Sequence, residues 1–252
     1  MDWGRAKNVL IYAFLLLNLV LGYQLWMDLR DQAGASPDFT ALSVATQRLM
    51  EDNRIQVLSP IPVETPQLPK ISYTYRPDAQ GDPVKLTQAV DTRLIYGEFK
   101  DLQNAIGDEI PNLDQYRHDP QSDREDAFVY RPLVNGKWPL FNVDLELFHQ
   151  SQKIEYFREP VLDIKPTGDV EEQKVLSASK ALGTLIERNV IPPRSAVKDI
   201  QLGYYGQMFD TEVELAAPAW RFTLDNGEMI YLQGISGDVF TPKSDKSDQA
   251  KE

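Results

Sequence analysis

Histidine and paired acidic residues are the side chains of this sequence that could perform chemistry. Its two histidines are His118 and His149, and Asp144 and Glu146 lie two residues apart. Paired carboxylates can divide the roles of general acid and base, and histidines that meet in space can hold zinc or activate a nucleophile. However, Asp144 and Glu146 alternate with apolar residues, which is typical of the wet face of an amphipathic strand. We therefore predict surface histidines and solvent-facing carboxylates.

Motifs of known catalytic or ligand-binding sites are missing from the sequence. The acid-rich stretches "DREDAF" and "GDEIPNLD" lack the Asp-x-Asp-x-Asp-Gly order of a calcium loop, and no Walker loop, Gly-x-Gly-x-x-Gly or Gly-x-Ser-x-Gly occurs. The chain has no cysteine, which excludes disulfides, thiolate catalysis and cysteine-ligated metals. We predict that the protein is not an enzyme and has no metal and no cofactor. A hydrolase remains an alternative, and it would require Asp144 or Glu146 in a deep cleft with a raised pKa.

The clearest strand signals are two hairpins. "AFVYRPLV" and "KWPLFNVDLELF" flank Asn135-Gly136, and "AWRFTLD" and "EMIYLQGI" flank Asn226-Gly227. Asn-Gly favours a two-residue type I′ turn between antiparallel strands. After the first turn, Phe141, Val143, Leu145 and Leu147 form the predicted buried face, and Asn142, Asp144 and Glu146 the wet face.

Two helices are predicted from apolar spacing and from start and stop signals. The first begins at about Asp38 and ends at Asn53, and the second begins with a capping box at Asp169 and Glu172 and ends before Pro192. Their predicted buried faces are Leu42, Ala45 and Leu49 in the first helix and Val175, Ala178, Leu182 and Leu185 in the second. Residues 89–106 fit either a strand at "RLIYGEF" or a helix, and residues 107–126 are predicted to be a long loop.

A short internal similarity links the two predicted helices. "LMEDNRI" (49–55) and "LIERNVI" (185–191) share four of seven residues, and each ends a helix ahead of prolines. The match favours two related units, each a helix followed by antiparallel strands. Shared helix-stop chemistry would explain it equally well, so both interpretations stand.

The N-terminal apolar run predicts a membrane anchor. Residues 9–27 carry no charged side chain, and 19 helical residues span roughly the ~30 Å hydrocarbon core of a bilayer. A cleaved signal peptide is the alternative, because Ala33-Gly34-Ala35 resembles a cleavage site, but signal-peptide apolar regions are about 7–15 residues long. We therefore predict a retained helix. Arg5 and Lys7 precede the run, which places the N-terminus in the cytoplasm and the C-terminal domain outside the cell membrane.

One face of the predicted membrane helix is suited to contact another helix. Phe14, Asn18 and Gly22 are four residues apart, an unpaired amide at mid-bilayer is costly, and glycine allows close approach of two backbones. We predict that these three residues contact a partner in the membrane. The predicted anchors at the membrane interface are Trp3, Arg5, Lys7, Tyr23 and Trp26.

Charge and length constrain the rest of the chain. The net charge is −12 over 252 residues, and the charges of the first 28 residues cancel. The excess negative charge therefore belongs to the external part, which repels nucleic acid and anionic polymers. We predict an α+β fold with a single N-terminal transmembrane helix followed by an ectodomain of two helix-plus-antiparallel-sheet units. The expected divisions are a cytoplasmic N-terminus (1–8), the transmembrane helix (9–27), a spacer (28–37), a first unit (38–165), a second unit (166–240) and a disordered tail (241–252).

The sequence resembles the YycI (WalI) family from residue 1 to about residue 240. The opening "MDWGRAKNVLIYAFLLLNLVLGYQLW" and the closing "PAWRFTLDNGEMIYLQGISGDV" carry the resemblance, and the second unit is also similar to PepSY-type modules. The resemblance implies a single-pass accessory of the WalRK (YycFG) two-component system. With a YycH-like membrane protein as its heterodimer partner, such a protein binds the WalK (YycG) sensor histidine kinase and modulates its activity, and hence cell-wall homeostasis. The alternative is a stand-alone membrane-anchored PepSY-type module that binds an extracellular ligand or acts as a chaperone.

Overall fold

A computed structural model of the chain describes residues 11–18, 20–21, 42–75, 81–165, 172–207 and 213–240. From residue 42 onward, these residues form two lobes, each with a mostly antiparallel sheet and at least one helix. The α+β class is therefore confirmed.

The first lobe is assembled from segments that are distant in sequence. Its elements are α1 (Val44–Asn53), β1 (Gln56–Val57), β2 (Gln67–Leu68), β3 (Ile71–Tyr75), β10 (Leu162–Lys165), β11 (Gln173–Lys174), α3 (Ala178–Glu187), β12 (Ala196–Gln207), β13 (Glu214–Leu224), β14 (Met229–Gln233) and β15 (Val239–Phe240). The main sheet has the order β1-β12-β13-β14-β15, and β3 pairs with the start of β13 and with β10. β2 and β11 form a small separate sheet.

The second lobe uses one continuous stretch of chain. Its elements are β4 (Val84–Asp91), α2 (Phe99–Ile106), β5 (Tyr116–His118), β6 (Ala127–Val134), β7 (Trp138–Pro139), β8 (Leu145–Gln150) and β9 (Lys153–Arg158). The sheet order is β4-β9-β8-β6-β5, with β7 paired to β6. α2 covers one face of this sheet, where Leu102 and Ile106 are buried in the core of the lobe.

The two main helices begin later than the sequence predicts. The Ser43 hydroxyl accepts the Thr46 N–H at 3.0 Å and the Ser177 hydroxyl accepts the Lys180 N–H at 3.3 Å, so these serines are the N-caps. The predicted starting residues Asp38 and Asp169 lie outside the described residues. In place of the predicted first turns of the second helix, residues 173–174 form β11.

Both stretches of the internal similarity end a helix with a left-handed residue. Arg54, at the C-cap of α1, and Asn189, two residues after α3, both have a φ of 54°. A left-handed residue is a common helix stop, and asparagine adopts it readily. In the match of the two stretches, however, Arg54 corresponds to Val190 and Asn189 corresponds to Asn53, so the two stops lie one position apart. A duplication of the two units stays a prediction.

Both predicted hairpins form, but with different turns. Asn135 and Gly136 have φ values of 51° and 67°, and the Lys137 N–H donates to the Val134 carbonyl at 3.2 Å, as in a type I′ turn. In the second hairpin only Gly227 has a positive φ, 84°, and its N–H donates to the Leu224 carbonyl at 3.1 Å. That loop is therefore a three-residue connection with glycine in the left-handed position, and the two-residue expectation is wrong there.

Residues 84–106 contain both a strand and a helix, which the sequence presented as alternatives, but at other positions than expected. The strand lies at 84–91, ahead of the predicted "RLIYGEF", and a 3₁₀ helix follows at Thr92–Tyr96 before α2. The Asp91 carboxylate accepts the Arg93 N–H at 3.0 Å and starts that turn, which ends the strand. The predicted loop 107–126 contains a 3₁₀ turn at Leu113–Gln115 and β5.

The predicted alternation after the first hairpin is correct only for the apolar residues. Phe141, Val143, Leu145 and Leu147 are all buried. The regular strand begins only at Leu145, and Glu146 is also buried, with 4% of its surface exposed. The prediction that Glu146 faces solvent is therefore wrong, because arginines on neighbouring segments compensate its charge within the protein.

The two sheets do not divide the chain at residue 165. Segments 42–75 and 172–240 share one core, which the α1–α3 contact and the parallel pairing of β1 with β12 join together. Residues 84–158 supply the second sheet as a continuous insertion. The hydrogen bond from the Thr46 hydroxyl to Glu187, 2.9 Å long, connects the two helices across this insertion.

The described part of the predicted membrane helix is helical and exposed. It comprises residues 11–18 and 20–21, and the remainder of the span 9–27 lies outside the described residues, as do the predicted spacer 28–37 and tail 241–252. Within the part of the chain that the structure describes, no helix has the length and apolar character needed to span a bilayer.

Candidate functional site at the joint between the lobes

The two lobes are joined by a segment of the second lobe that packs into the first. Leu140 and Val143 are fully buried and belong to the core of the first lobe, although they lie between β7 and β8. Leu140 forms a parallel bridge with Tyr204, and the Phe141 N–H donates to the Tyr204 carbonyl at 2.8 Å. We call residues 138–143 the joint segment.

The packing of the joint segment depends on glycine in β12. A Cβ on Gly203 would lie 2.4 Å from the Pro139 carbonyl oxygen and 2.7 Å from the Phe141 ring. The Gly206 N–H donates to the Asn142 side chain at 3.2 Å, and Asn142 donates to the Tyr73 hydroxyl at 2.6 Å. Burial, and then a hydrogen bond to Glu214, raise the pKa of Tyr73, so its hydroxyl stays protonated.

Beside the joint segment lies a buried ion pair that crosses between the lobes. Arg221 on β13 is 1% exposed and donates with both terminal nitrogens to Asp119, the residue after β5, one of these contacts being 2.9 Å. The guanidinium also lies 4.7 Å from the centre of the Phe141 ring and donates to the Gln201 side chain at 2.6 Å. A bidentate guanidinium–carboxylate pair fixes both distance and angle.

Further ion pairs extend from Asp119 into the second lobe. The Arg131 Nε donates to Asp119 at 3.1 Å, and Ser122 bridges the same two residues with contacts of 2.8 Å. Arg131 also pairs with Asp144, and Asp144 lies 3.4 Å from Arg124. Beyond this point, Arg124 pairs with Glu146, and Arg158 donates to the other oxygen of Glu146 at 3.1 Å.

Together these contacts make one series of alternating charges. Arg221 also lies 3.8 Å from Asp199, which extends the series by one residue in the first lobe. In order, its eight members are Asp199, Arg221, Asp119, Arg131, Asp144, Arg124, Glu146 and Arg158. We call this series the charge chain. Only the Arg221–Asp119 contact in it joins the two lobes.

The charge chain alters the protonation of its acidic members. Burial would raise the pKa of Asp119, but hydrogen bonds and charges from Arg221 and Arg131 outweigh it and lower that pKa to about 2. Asp199 has a raised pKa because burial outweighs the charge of Arg221. Asp119 is therefore the firmly ionised carboxylate at the joint, and Asp199 is the weaker acid beside it.

Asp144 and Glu146, the predicted solvent-facing pair, are both bound by arginines in the charge chain. Two guanidinium groups contact each of these carboxylates. A carboxylate that two arginines bind holds those arginine side chains in place. The charges of this site therefore compensate one another, between the lobes at Arg221–Asp119 and within the second lobe at the other pairs.

The two histidines approach each other around one aromatic ring. Phe128 on β6 stacks on His149 at 4.6 Å and contacts His118 edge-on at 5.9 Å between ring centres. His118 also pairs with Asp123 at 2.9 Å and stacks on Tyr130. Side-chain exposure is only 15% for His118 in this pair, so the surface prediction is wrong for that residue. Among the described residues, no three histidine or acidic side chains form a group that could hold a metal ion.

A cleft of about 440 Å³ opens next to His118 in the second lobe. Phe99, Tyr116, His118, Tyr130 and Leu133 are among the residues that line it. Tyr96, nearby in contact with His118, is 73% exposed, and Phe99 is 40% exposed. Its size lies in the range of small-molecule sites, and its aromatic rim is also suited to contact with another protein.

Comparison with known proteins gives one match to a family model, which is described as YycI protein and covers residues 76–233, more than half of the chain. The chain belongs to the YycI family. The match includes the entire second lobe and the part of the first lobe from β10 to β14. Membership of the YycI family indicates a regulatory accessory of the WalRK two-component system that is associated with the membrane.

One solved structure is partly similar to the chain. A crystal structure of an uncharacterized protein from Eubacterium rectale ATCC 33656 is similar at 17% identity with a TM-score of 0.35. The similarity covers 47% of this chain and 44% of that one, so the chain spans less than half of that protein. No match was found among the curated proteins.

The predicted membrane residues of this YycI-family protein are described only in part. Phe14 is 64% exposed, and Asn18 is also exposed, on the helical residues 11–18. The other predicted residues lie outside the described residues, namely Gly22, Trp3, Arg5, Lys7, Tyr23 and Trp26. Their roles as partner contacts and interface anchors stay predictions.

The sequence reasoning missed the arginines of the joint. Arg131 and Arg221 lie in the middle of the apolar strand sequences "AFVYRPLV" and "AWRFTL". An arginine at a position that alternation assigns to a buried strand requires a buried acidic partner. This signal is readable in the sequence, although the partner Asp119, 102 residues away from Arg221, is not.

Proposed function

We propose that this protein is a membrane-anchored, non-enzymatic regulator that binds the WalK sensor histidine kinase together with a YycH-like protein. It modulates the kinase and so controls cell-wall metabolism. The observation that carries the proposal is the family match over residues 76–233. The arginine-bound state of Asp144 and Glu146 supports it, because arginines compensate both carboxylates within the second lobe.

In the proposed arrangement, the chain is a single-pass protein of the cell membrane. The N-terminus is cytoplasmic, residues 9–27 cross the bilayer, and the two lobes are extracellular. Phe14, Asn18 and Gly22 contact a helix of the kinase or of the YycH-like protein. Confinement to the membrane raises the effective concentration of the partners, so each helix contact can be weak.

The regulation acts as a population shift between two states of the kinase. A bound accessory changes the ratio of the states only if it binds one state more tightly. A preference of about 1.4 kcal/mol changes that ratio tenfold. The chain therefore needs no reaction of its own to regulate a kinase.

The direct test is co-purification of the full-length chain with WalK and the YycH-like protein from membranes. We expect the three proteins to elute together, and we expect Asn18→Leu to weaken the complex. Leu16→Ala is the matched control, because a residue two positions away lies on the opposite helix face. If the parent chain elutes without either partner, the proposal is wrong. Equal retention of the Asn18→Leu and Leu16→Ala chains would remove only the membrane contact.

A second candidate is the stand-alone ligand-binding module, and the cleft beside His118 favours ligand binding, although it lies outside the PepSY-like residues 166–240. The module assigns the function to the aromatic lining of this cleft and needs no kinase. Leu133→Trp would narrow the cleft. The regulator function predicts that the folded Leu133→Trp chain still elutes with WalK, whereas the module predicts that the parent chain does not bind WalK at all.

A further inference from the structure

We infer that the Arg221–Asp119 pair is a latch that fixes the angle between the two lobes, with the joint segment as its pivot. The inference goes beyond kinase regulation, since it concerns how the chain holds its own lobes. It would apply equally to any partner that contacts both lobes.

Charge balance permits the charge chain to open between the lobes. Without the Arg221–Asp119 contact, the second lobe keeps three carboxylates and three guanidinium groups, and the first lobe keeps Asp199 with Arg221. Each half of the charge chain is therefore neutral on its own. A break between Asp119 and Arg131 would leave a net charge on each side, and a break between Arg131 and Asp144 would leave neutral halves but divide the second lobe. The Arg221–Asp119 contact is thus the one neutral division that coincides with the division between the lobes.

Arg221 already has a second acidic partner in its own lobe. Asp199 lies 3.8 Å away, too far for a good hydrogen bond, and its side chain is 34% exposed. The Nε atom of Arg221 is buried and has no hydrogen-bond partner. The guanidinium is therefore incompletely satisfied in the latched arrangement, and Asp199 could receive it if the lobes turned apart.

The joint segment has the properties of a pivot. Its burial in the first core, its backbone bond to Tyr204 and the bonds of Asn142 to Gly206 and Tyr73 keep the lobes attached at one place. Hinges are short segments at the ends of elements that absorb a change in backbone angles, and the joint segment lies just before the start of β8. A bidentate ion pair, in contrast, holds one geometry, and turning away from it would leave a buried charge without its partner.

The absence of cysteine in the chain permits a clean distance measurement. Lys100 on α2 and Lys180 on α3 are exposed and lie one in each lobe. With both replaced by cysteine and spin-labelled, pulsed electron paramagnetic resonance on the full-length chain in nanodiscs reports the distance between the lobes. The variants are Arg221→Met, which removes the latch cation, and Asp119→Asn, which removes its charge and leaves Arg131 paired with Asp144.

We expect both variants to shift the mean distance by more than about 2 Å or to broaden the distribution clearly. Arg124→Met is the matched control, because its ion pairs lie within the second lobe, and we expect the parent distribution from it. Parent-like distributions for Arg221→Met and Asp119→Asn would overturn the latch. So would an equal change in Arg124→Met, since any loss of charge would then have the same effect. If Arg221→Met does not fold, Asp119→Asn decides alone. No kinase is present, so a negative result leaves the proposed function untouched.

Discussion

The two lobes reach similar architectures by opposite routes. The second lobe folds from one continuous stretch, 84–158, in which sheet neighbours are also close in sequence. The first lobe brings together residues 42–75 and 172–240, with a third contribution from β10. Contacts between distant segments require closure of a long loop, so the first lobe has the higher entropic cost of assembly. The second lobe lies within the long loop that closes when residues 42–75 meet residues 172–240.

The cores of the lobes also differ in their independence. The core of the second lobe uses only residues from its own stretch, whereas the core of the first lobe includes Val134, Leu140 and Val143 from the second stretch. Damage to the first core should therefore affect the N-terminal and C-terminal segments together. Damage to the second core should remain more local.

The largest expected effect is that of Trp220→Ala in the first lobe. Trp220 is 1% exposed, and its indole N–H donates to the Leu176 carbonyl at 2.8 Å. Its loss should lower the free energy of unfolding by about 3–5 kcal/mol. Hydrogen exchange on the full chain should accelerate both in α1 and in β12, because the two share one core. Leu147→Ala in the second lobe is the comparison, and it should accelerate exchange mainly within residues 84–158. If α1 stays protected in Trp220→Ala, the shared core is wrong.

An intermediate effect is expected on acidification. Asp119 has a pKa of about 2 in the folded chain and about 3.9 when unfolded. Because the folded value is the lower one, its ionisation stabilises the fold above about pH 4, and this stabilisation disappears as the pH falls towards 2. The difference corresponds to about 2.5 kcal/mol at neutral pH.

Urea unfolding measured between pH 6 and pH 2.5 checks this expectation. Asp119→Asn should show a shallower loss of stability over the acidic part of this range, since the linked proton is missing. A variant as acid-sensitive as the parent would assign the pH dependence to other carboxylates. Asp123→Asn is a suitable control, because this carboxylate pairs with His118 within the second lobe.

A smaller effect separates two buried glycines. Gly203→Ala would press a methyl group against Pro139 and Phe141 in the joint segment and should destabilise the chain by about 1–3 kcal/mol. Gly183→Ala on α3 would meet only Thr46 at ordinary contact distances of 3.7–3.8 Å, and it should stabilise the helix by about 0.5–1 kcal/mol. Thermal melts of both variants measure the difference. A Gly203→Ala chain that melts at or above the temperature of the parent would mean that the joint is loosely packed.

The same contrast explains what could be predicted from the sequence. The hairpin at Asn135-Gly136 and the ends of both main helices are local, and residue types near them specify φ directly. Placement of β1 and β3 in the sheet of the C-terminal segment, and of α1 against α3, depends on contacts over more than 100 residues, for which a single sequence holds no signal. The predicted boundary at residue 165 therefore groups residues 42–75 with the sheet of the second lobe, whereas their strands pair with β12 and β13 of the first lobe.

The charge chain was difficult to predict for a related reason. Alternation assigns Glu146 to solvent because a lone carboxylate is costly to bury. Its arginine partners come from residues 12 and 22 positions away, and their approach depends on the packing of β6, β8 and β9. What the sequence did show is arginine in two apolar strands. That pattern predicts buried ion pairs but does not identify their members.

In the proposed function, the chain regulates a kinase without catalysing a reaction. The most direct measurement is the autophosphorylation rate of WalK in nanodiscs, with and without the full-length chain and its YycH-like partner. We predict that the added accessories change the rate, and that the change persists when Asp144 and Glu146 are replaced by asparagine and glutamine in a chain that remains folded. A rate that is the same with and without the accessories would contradict the claim.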